Sequence, residues 1–243
     1  MGVSGISKAS LSEHCDIYVG RIQILRPIHR ELLDHAEQLR SAEYQFESDR
    51  RRFELGAVLL RLALGRTLGT RPALLQVDRM CEICGKSHGR PRVRGFDGHV
   101  SISHSGSMVA LAITSAGPVG IDVEATGGLP VTEYRSLLDL VVTTTERPFV
   151  DSPAAFLKVW TRKEAVLKAV GCGLRLSMTE VIVSSPYEEP YLISFRSESA
   201  VPCLMREIDV GTDFCATLAV ITKSTIGVLV QDAGPLLSAT RGS

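Results

Sequence analysis

The sequence lacks a net charge, since its 27 lysine and arginine side chains balance 27 aspartate and glutamate side chains over 243 residues. Such a balance gives no general attraction to nucleic acid or to an anionic membrane. Residues 1–6 also lack the basic and apolar regions of a signal peptide and the hydroxyl residue at position six of a myristoylation motif. We therefore expect a cytoplasmic protein that binds neither nucleic acid nor membranes, and any phosphate site must be local.

Residues 98–121 contain no Asp, Glu, Lys or Arg, but serines, glycines and a proline interrupt them, which indicates strands and turns rather than a membrane span. The chain has no regular cysteine spacing either. Its six cysteines are Cys15, Cys81, Cys84, Cys172, Cys203 and Cys215. In a chain without a secretory signal, this scatter favours reduced thiols over a disulfide framework.

Helical periodicity is clearest in two regions. Apolar residues at helical spacing predict two helices between Arg26 and Gly69. Ser152 and Pro153 form a helix start signal, and the apolar stripe that follows runs to Gly171. A length of 243 residues exceeds the usual single domain, so two α+β halves are expected.

Short strands are predicted after each helical region. The expected ranges are 99–104, 107–114, 119–124, 180–184, 191–195, 204–210 and 215–222. A turn-rich loop is expected between Cys81 and Arg94, and a frayed tail over the last dozen residues. The chain would divide near Gly117 and Pro118, giving halves of 1–117 and 118–243.

The pentapeptide from Gly120 to Glu124 carries two carboxylates on a predicted strand. Residues at i and i+2 share one face of a strand, so Asp122 and Glu124 point the same way while Ile121 and Val123 face the core. An isolated pair of this kind is more often a solvated edge. It also suits a hard cation such as Mg²⁺, which takes one or two carboxylates together with water and substrate phosphate.

Glu164 and Lys168 lie four residues apart on the predicted helix and therefore share one helical face. An exposed ion pair is the simpler interpretation of this pair taken alone. Upstream, Ser103 and His104 lie at the end of a strand beside Gly106. No G-x-S-x-G elbow is present, so a serine hydrolase is disfavoured, and hydrogen bonding to phosphate or a structural histidine are the alternatives.

Three motifs occur together in one order: Ser-x-Ser-His-Ser from Ser101, Gly-Ile-Asp-Val-Glu from Gly120, and Trp-Thr-x-Lys-Glu-Ala-x-x-Lys-Ala-x-Gly-x-Gly-Leu from Trp160. This arrangement resembles the Sfp-type 4′-phosphopantetheinyl transferases from the early basic helix to Leu174. The resemblance implies a pseudo-dimer of two similar halves, each a small, mainly antiparallel sheet packed with a long helix, and an active site at their interface. It further implies a monomer that transfers the phosphopantetheine arm of coenzyme A to a serine of an apo acyl or peptidyl carrier protein, releasing 3′,5′-ADP.

By this resemblance, Asp122, Glu124 and Glu164 hold Mg²⁺, and Lys168 contacts the pyrophosphate. Ser103, His104 and Lys163 match coenzyme A contacts. Arg52, in the pattern Arg-x-x-x-Gly-x-x-Leu-x-Arg, matches the group that binds the ribose 3′-phosphate, with Arg50 or Arg51 as alternatives, and Arg90 matches a group near the adenine nucleotide.

The general base is open between two carboxylates, Glu164 and Glu146, and the family supplies no nucleophile of its own because the carrier brings the serine. Sequence alone cannot test whether either group reaches that hydroxyl. The carrier and its pathway, in polyketide, nonribosomal peptide or fatty-acid synthesis, are not indicated, although members of this length commonly serve secondary metabolism.

Two other functions remain open. Cys81, Cys84 and His88 imitate a zinc knuckle, which would indicate a nucleic-acid-binding module, but a fourth ligand is missing and the spacing differs by one residue. A protein that binds coenzyme A or a carrier without turnover should have lost a metal acid or a basic helix residue, and this chain keeps them all. A shorter, trimeric holo-synthase type is disfavoured by the length.

Overall fold

The computed structural model describes residues 14–81, 85–86, 89–127, 130–172, 176–196, 198–199 and 201–238. The first half contains two helices and five strands: β1 (His14–Arg21), α1 (His35–Glu43), α2 (Glu47–Leu68), β2 (Val77–Asp78), β3 (Arg92–Val93), β4 (His99–Ser105) and β5 (Met108–Thr114). The second half continues with β6 (Val119–Ala125), α3 (Val131–Val141), α4 (Pro153–Val170), β7 (Val181–Val183), β8 (Leu192–Phe195), β9 (Glu198–Ser199), β10 (Cys203–Glu207) and β11 (Phe214–Ile221). The last elements are β12 (Gly227–Asp232) and α5 (Ala233–Ser238).

The two halves repeat one topology. In the first, β1 precedes the long helix α2, and the hairpin β4–β5 follows, with strand order β1-β5-β4. In the second, β6 precedes α4, and the hairpin β10–β11 follows, with strand order β6-β11-β10. All of these pairings are antiparallel. The expected α+β class, with small antiparallel sheets and long helices, is confirmed.

The two sheets pack against each other in the centre of the molecule. Their inward-facing side chains form one apolar cluster that includes Ile17 and Ala110 of the first sheet and Ile121, Val123 and Leu218 of the second. A separate cluster lies between the first sheet and α2, and another surrounds α4. The layers therefore follow the order α2, first sheet, second sheet, α4, in which each sheet is covered on both faces.

Helix α4 begins and ends where its sequence signals predict. The Ser152 hydroxyl accepts a hydrogen bond from the Ala155 amide at 3.2 Å, and Pro153 occupies the first turn. Gly171 ends the helix in the left-handed conformation, with φ of 82°, which a residue with a Cβ atom rarely adopts. The helix therefore has fixed ends, which hold its Glu164 and Lys168 in register with the sheet below.

The prediction for the C-terminal region was wrong, and several strands and one helix were not predicted. Strand β12 pairs in parallel with β1, and α5 buries Ala233, Leu236 and Leu237 against the first half, so residues 233–238 are not a frayed tail. Strand β1 and helix α3 were not predicted. The division at residue 117 stays a prediction, and the pairing of β12 means that residues 227–232 contribute to the first sheet. Among the described helices, none combines the length and apolarity needed to cross a membrane.

Strand β6 and helix α4 approach most closely at Gly120. A Cβ atom built on this residue would overlap the carbonyl oxygen of Ala165 and lie 2.5 Å from the amide nitrogen of Ala169. Because these atoms belong to the helix backbone, they cannot rotate away as a flexible side chain could. Only glycine therefore permits the observed distance between the strand and the helix.

We predict that Gly120→Ala destabilises the protein, because α4 must move away from β6 to admit the methyl group. Overpacking of this kind costs about 1–3 kcal/mol and sometimes more. Equilibrium unfolding in urea measures the loss. Gly127→Ala is the matched control, since a Cβ atom there meets nothing within 4 Å; equal stability of both variants would contradict the close packing.

Candidate active site

Strands β4 and β6 run side by side where the two halves meet. The backbone amides of Ile121, Val123 and Ala125 donate hydrogen bonds to serine hydroxyls at distances of 3.1, 3.3 and 3.1 Å. The acceptors are, in the same order, Ser101, Ser103 and Ser105. Both strands therefore run in the same direction along this boundary, which brings the Ser-His motif against the two acids of β6.

An acidic pocket of about 250 Å³ opens at this boundary. Carboxylates from two elements line it, Asp122 and Glu124 from β6 and Glu164 from α4, together with Ser103, His104, Trp160 and Lys168. The structure thus brings together all three predicted metal acids and three of the predicted coenzyme A contacts. The alternation on β6 is as expected, because Ile121 and Val123 are fully buried on the opposite face.

Asp122 is the most constrained of the three acids, with only 3% of its surface exposed. Its Oδ1 atom accepts hydrogen bonds from Lys168 Nζ at 2.6 Å and from the Ser103 hydroxyl at 2.9 Å. Its Oδ2 atom is buried and has no hydrogen-bond partner among the described residues. A buried carboxylate oxygen without a donor is costly, so this atom is suited to a cation.

Burial and neighbouring negative charge both raise the pKa values of Glu124 and Glu164. Burial raises the pKa of Glu164, the charge of Asp122 raises it further, and Lys168 opposes these effects. Burial also raises the pKa of Glu124, which a hydrogen bond from Ser105 lowers in part. Three carboxylates beside one cationic lysine leave an excess of negative charge that a divalent cation would offset.

Within the described ranges, no set of three His, Cys, Asp or Glu side chains converges closely enough to hold a metal ion as the side chains stand. The donor types and the unpartnered Asp122 oxygen still fit a hard cation, since glutamate side chains can rotate toward it. The alternative of a zinc knuckle is not tested, because Cys84 and His88 lie outside the described residues.

A cationic cleft of about 370 Å³ adjoins the acidic pocket. The two share Ile102, His104 and Lys168. The described residues that line the cleft include no acid, and its cationic members are Arg40, Arg52, Arg79, Arg90 and Lys168. A cleft with this charge suits a polyanion whose one end reaches the acidic pocket.

Arg52 is the arginine of its helix that faces the cleft. Its Nη1 atom donates to the carbonyl oxygen of Gly106 at 2.5 Å, and its guanidinium pairs with Asp49. Arg51 instead donates to the carbonyl oxygens of Ile22 and Leu25, at 2.7 and 2.9 Å. Arg50 pairs with Glu47 one turn back and lines a different groove. Neither alternative to Arg52 therefore reaches the cleft.

Sequence analysis missed two arginines of the cleft, Arg40 and Arg79. Both lie over the ring of Phe53, with guanidinium carbons 5.0 and 5.7 Å from its centroid, and Tyr44 packs against the same ring. Burial lowers the pKa of Arg79, and its Nε atom is buried without a hydrogen-bond partner in the described structure. Nothing in the sequence indicated that these two arginines lie in the same cleft as Arg52.

Arg90 and His104 both line the cleft. Arg90 donates from Nη2 to the carbonyl oxygen of Ala169 at 3.1 Å, at the C-terminal end of α4. Desolvation in the cleft lowers the pKa of His104, and the charge of Arg52 lowers it further. The imidazole is therefore neutral at pH 7 and can donate one hydrogen bond.

Two predicted site residues, Lys163 and Glu146, line neither the cleft nor the acidic pocket. Lys163 is fully buried, and its ammonium group donates to Glu146 at 2.7 Å and to the carbonyl oxygens of Val141 and Met178 at 2.7 and 3.2 Å. Glu146 also accepts from the amides of Thr143 and Val183. The pair is thus bound to protein groups inside the second half, and its geometry favours a structural role over a contact with coenzyme A or a role as the base.

Ser103 lines the acidic pocket, and protein groups already occupy its hydroxyl. Its hydroxyl donates to Asp122 and accepts from the amide of Val123 and from Lys168 Nζ, the latter at 2.9 Å. With its only proton given to Asp122, this hydroxyl has none to donate to a phosphate. The residue lies in the site as expected, but it holds protein groups in place.

We predict that Lys163→Met lowers stability strongly and leaves the affinity for coenzyme A unchanged. Removing one member of a buried ion pair costs about 3–5 kcal/mol, because the other charge stays buried without its partner. Urea unfolding and calorimetric titration measure the two quantities. Lys158→Ala on the same helix is the control, since its pair with Glu207 is exposed and contributes about 0–1 kcal/mol. Weakened coenzyme A binding by the folded Lys163 variant would restore the original assignment.

Residues 118–219 match the family model of the 4′-phosphopantetheinyl transferase superfamily. The chain is similar to a Synechocystis protein named as a candidate 4′-phosphopantetheinyl transferase, at 28% identity over 65% of this chain and 65% of that protein. The 4′-phosphopantetheinyl transferase HetI of Nostoc is 28% identical over 72% of this chain and 76% of its own length. For Sfp of Bacillus subtilis, the values are 28%, 69% and 74%.

Among solved structures, the holo-[acyl-carrier-protein] synthase of Thermotoga maritima matches with 22% identity and a TM-score of 0.35, over 44% of this chain and 64% of that one. A TM-score at this level is too low to support an argument about the fold. The matched family region covers β6 and α4, the elements that carry the three acids and Lys168, and most of β11.

Proposed function

We propose that this chain, whose residues 118–219 match the 4′-phosphopantetheinyl transferase superfamily, moves the 4′-phosphopantetheine arm of coenzyme A to a serine of an apo acyl or peptidyl carrier protein. The observation that carries the proposal is the junction of a cationic cleft and an acidic pocket at His104 and Lys168. Coenzyme A has a matching distribution of groups, with a nucleotide bearing a 3′-phosphate at one end and the reacting pyrophosphate beside it.

The nucleotide end fits the cationic cleft. Arg40, Arg52, Arg79 and Arg90 supply positive charge for phosphate, and the aromatic side chains Tyr44 and Phe53 supply apolar surface for a base. We assign the 3′-phosphate to Arg52, because this guanidinium lies in the cleft within reach of both Gly106 and Asp49. Neutral His104 would donate one further hydrogen bond to phosphate.

The metal end fits the acidic pocket. Asp122, Glu124 and Glu164 would hold Mg²⁺, and the buried Oδ2 atom of Asp122 is the clearest open ligand position. Bound there, the ion would neutralise the pyrophosphate and the charge that develops on the leaving phosphate.

The chain's own groups position and activate the reactants. In the reaction, the carrier's serine oxygen forms a bond to the β-phosphorus of coenzyme A, the bond from this phosphorus to the bridging oxygen breaks, and 3′,5′-ADP leaves. The Lys168 ammonium group donates hydrogen bonds to Asp122 and, at 3.2 Å, to the carbonyl oxygen of Ile121. These bonds hold its positive charge at the junction of the two pockets. We assign proton removal to Glu164, because its carboxylate lines the acidic pocket beside Lys168, whereas Glu146 lines neither pocket.

A single chain would suffice for this activity, since both halves that border the site belong to it. We therefore propose that the protein acts as a monomer. We also propose a cytoplasmic location. A protein that binds coenzyme A or a carrier without turnover is the alternative, and the assay below separates it from the enzyme.

We predict that the purified protein with coenzyme A and Mg²⁺ adds one phosphopantetheine to an apo carrier protein, as measured by the carrier's intact mass. EDTA and Glu124→Gln should each abolish the mass gain, and a carrier whose modified serine is replaced by alanine should show none. Coenzyme A binding without a mass gain on several carriers would favour the non-catalytic alternative. Absence of coenzyme A binding would refute the proposed function.

We also predict that Arg52→Ala weakens binding of 3′,5′-ADP by about 10-fold or more, since a charge-assisted hydrogen bond contributes about 1.5–3 kcal/mol. The binding of 5′-AMP, which lacks only the 3′-phosphate, should change much less. Calorimetric titration measures both. Arg50→Ala is the control on the adjacent position, because Arg50 lines another groove; equal losses for the two variants, or for the two nucleotides, would contradict the assignment of the 3′-phosphate.

A further inference from the structure

The boundary between β4 and β6 differs from an ordinary sheet pairing. The alternate amides of β6 that face β4 donate to serine side chains of β4 rather than to its carbonyl oxygens. Because side chains at i and i+2 share one face of a strand, three serines at alternate positions can meet three alternate amides. Each hydroxyl accepts one amide bond and keeps one proton to donate elsewhere.

Two of these protons go to the acids of the candidate metal site. The Ser103 hydroxyl donates to Asp122 Oδ1, and the Ser105 hydroxyl donates to Glu124 Oε2 at 2.7 Å. Ser101 makes the corresponding bond to the amide of Ile121, and within the described structure its hydroxyl makes no bond to the three carboxylates. The three serines therefore share one role at the boundary, but only two of them also contact an acid.

We propose that Ser105, to which neither the sequence nor the comparisons assign a role, is a positioning residue that fixes the Glu124 carboxylate for metal binding. This inference rests on the proposed function. The Ser105 oxygen accepts a hydrogen bond from the amide of Ala125, and its hydroxyl proton is donated to the side chain of Glu124. Both partners belong to β6, so this strand fixes the direction of the hydroxyl. Without the hydroxyl, the flexible Glu124 side chain would lose its link to β4.

Ser105 acts from the other half of the molecule. Glu124 belongs to β6 of the second half, whereas Ser105 ends β4 of the first half. The contact couples the position of one metal acid to the correct docking of the two sheets. Side chains that orient metal ligands in this way typically change metal affinity by about 10- to 100-fold when they are removed.

The test compares Ser105→Ala with Ser101→Ala, which removes an equivalent boundary bond without a carboxylate contact. Binding of Mn²⁺ to the protein alone, measured by electron paramagnetic resonance of the free ion, is the main readout, and thermal unfolding of each variant is measured in parallel. We expect Ser105→Ala to weaken Mn²⁺ binding by about 10-fold or more and Ser101→Ala to change it by less than about twofold. Ser105→Thr, which keeps the hydroxyl, should restore most of the affinity.

In the carrier assay, Ser105→Ala should raise the Mg²⁺ concentration that gives half-maximal rate, while the affinity for 3′,5′-ADP stays unchanged. Unaltered Mn²⁺ binding in Ser105→Ala, or equal weakening in both alanine variants, would overturn the proposal, because the serines would then serve the boundary alone. These results leave the proposed function intact if the unmodified protein still transfers phosphopantetheine. A failure of that protein to bind Mn²⁺ and to modify any carrier would overturn both.

Discussion

The contact between Gly120 and the backbone of α4 sets the geometry of the whole site. No side chain separates the strand from the helix there, and the carbonyl oxygen of Ala165 occupies the space that a Cβ atom would need. Asp122 follows two residues later on the strand, while Glu164 and Lys168 flank the contact on the helix. A wider spacing would move the helix residues away from Asp122, and the 2.6 Å contact between Lys168 and Asp122 would be lost.

Around this contact, charge is segregated rather than mixed. The cleft gathers arginines from α1, α2 and the segments before and after residues 82–88, and the pocket gathers acids from β6 and α4. Keeping like charges together costs electrostatic energy in the free protein. A ligand of opposite charge on each side would offset this cost, and the proposed pair of a phosphate-bearing ligand and a divalent cation has that distribution of charge.

The sequence predicted those parts of the site that depend on local periodicity. Strand alternation placed Asp122 and Glu124 together, and helical spacing placed Glu164 and Lys168 on one face. Lys163 lies one position from Glu164, which turns its side chain about 100° around the helix and into the core of the second half. Nothing local distinguished that buried lysine from an active-site one.

Tertiary contacts account for the other differences. Arg79 lies in the cleft because the chain folds back and places its guanidinium over the ring of Phe53. Glu146 has a structural contact because the buried side chain of Lys163 donates a hydrogen bond to it. The serine bridges between β4 and β6 also depend on the docking of the two sheets. Motif matching recovered the composition of the site, whereas the roles of Ser103 and Ser105 required their hydrogen-bond partners.

The parallel pairing of β12 with β1 has a consequence for how the molecule is made. Cys15 is paired with Val228, so the two strands must find each other across more than two hundred residues, and contacts of such long range form slowly. During synthesis, the ribosome would release β1, α2 and the β4–β5 hairpin well before β12 exists. Until then, one edge of β1 stays open to other chains. In the folded protein β12 covers that edge. Because β12 is synthesised near the end of the chain, the edge of β1 is protected from pairing with other chains only at a late stage.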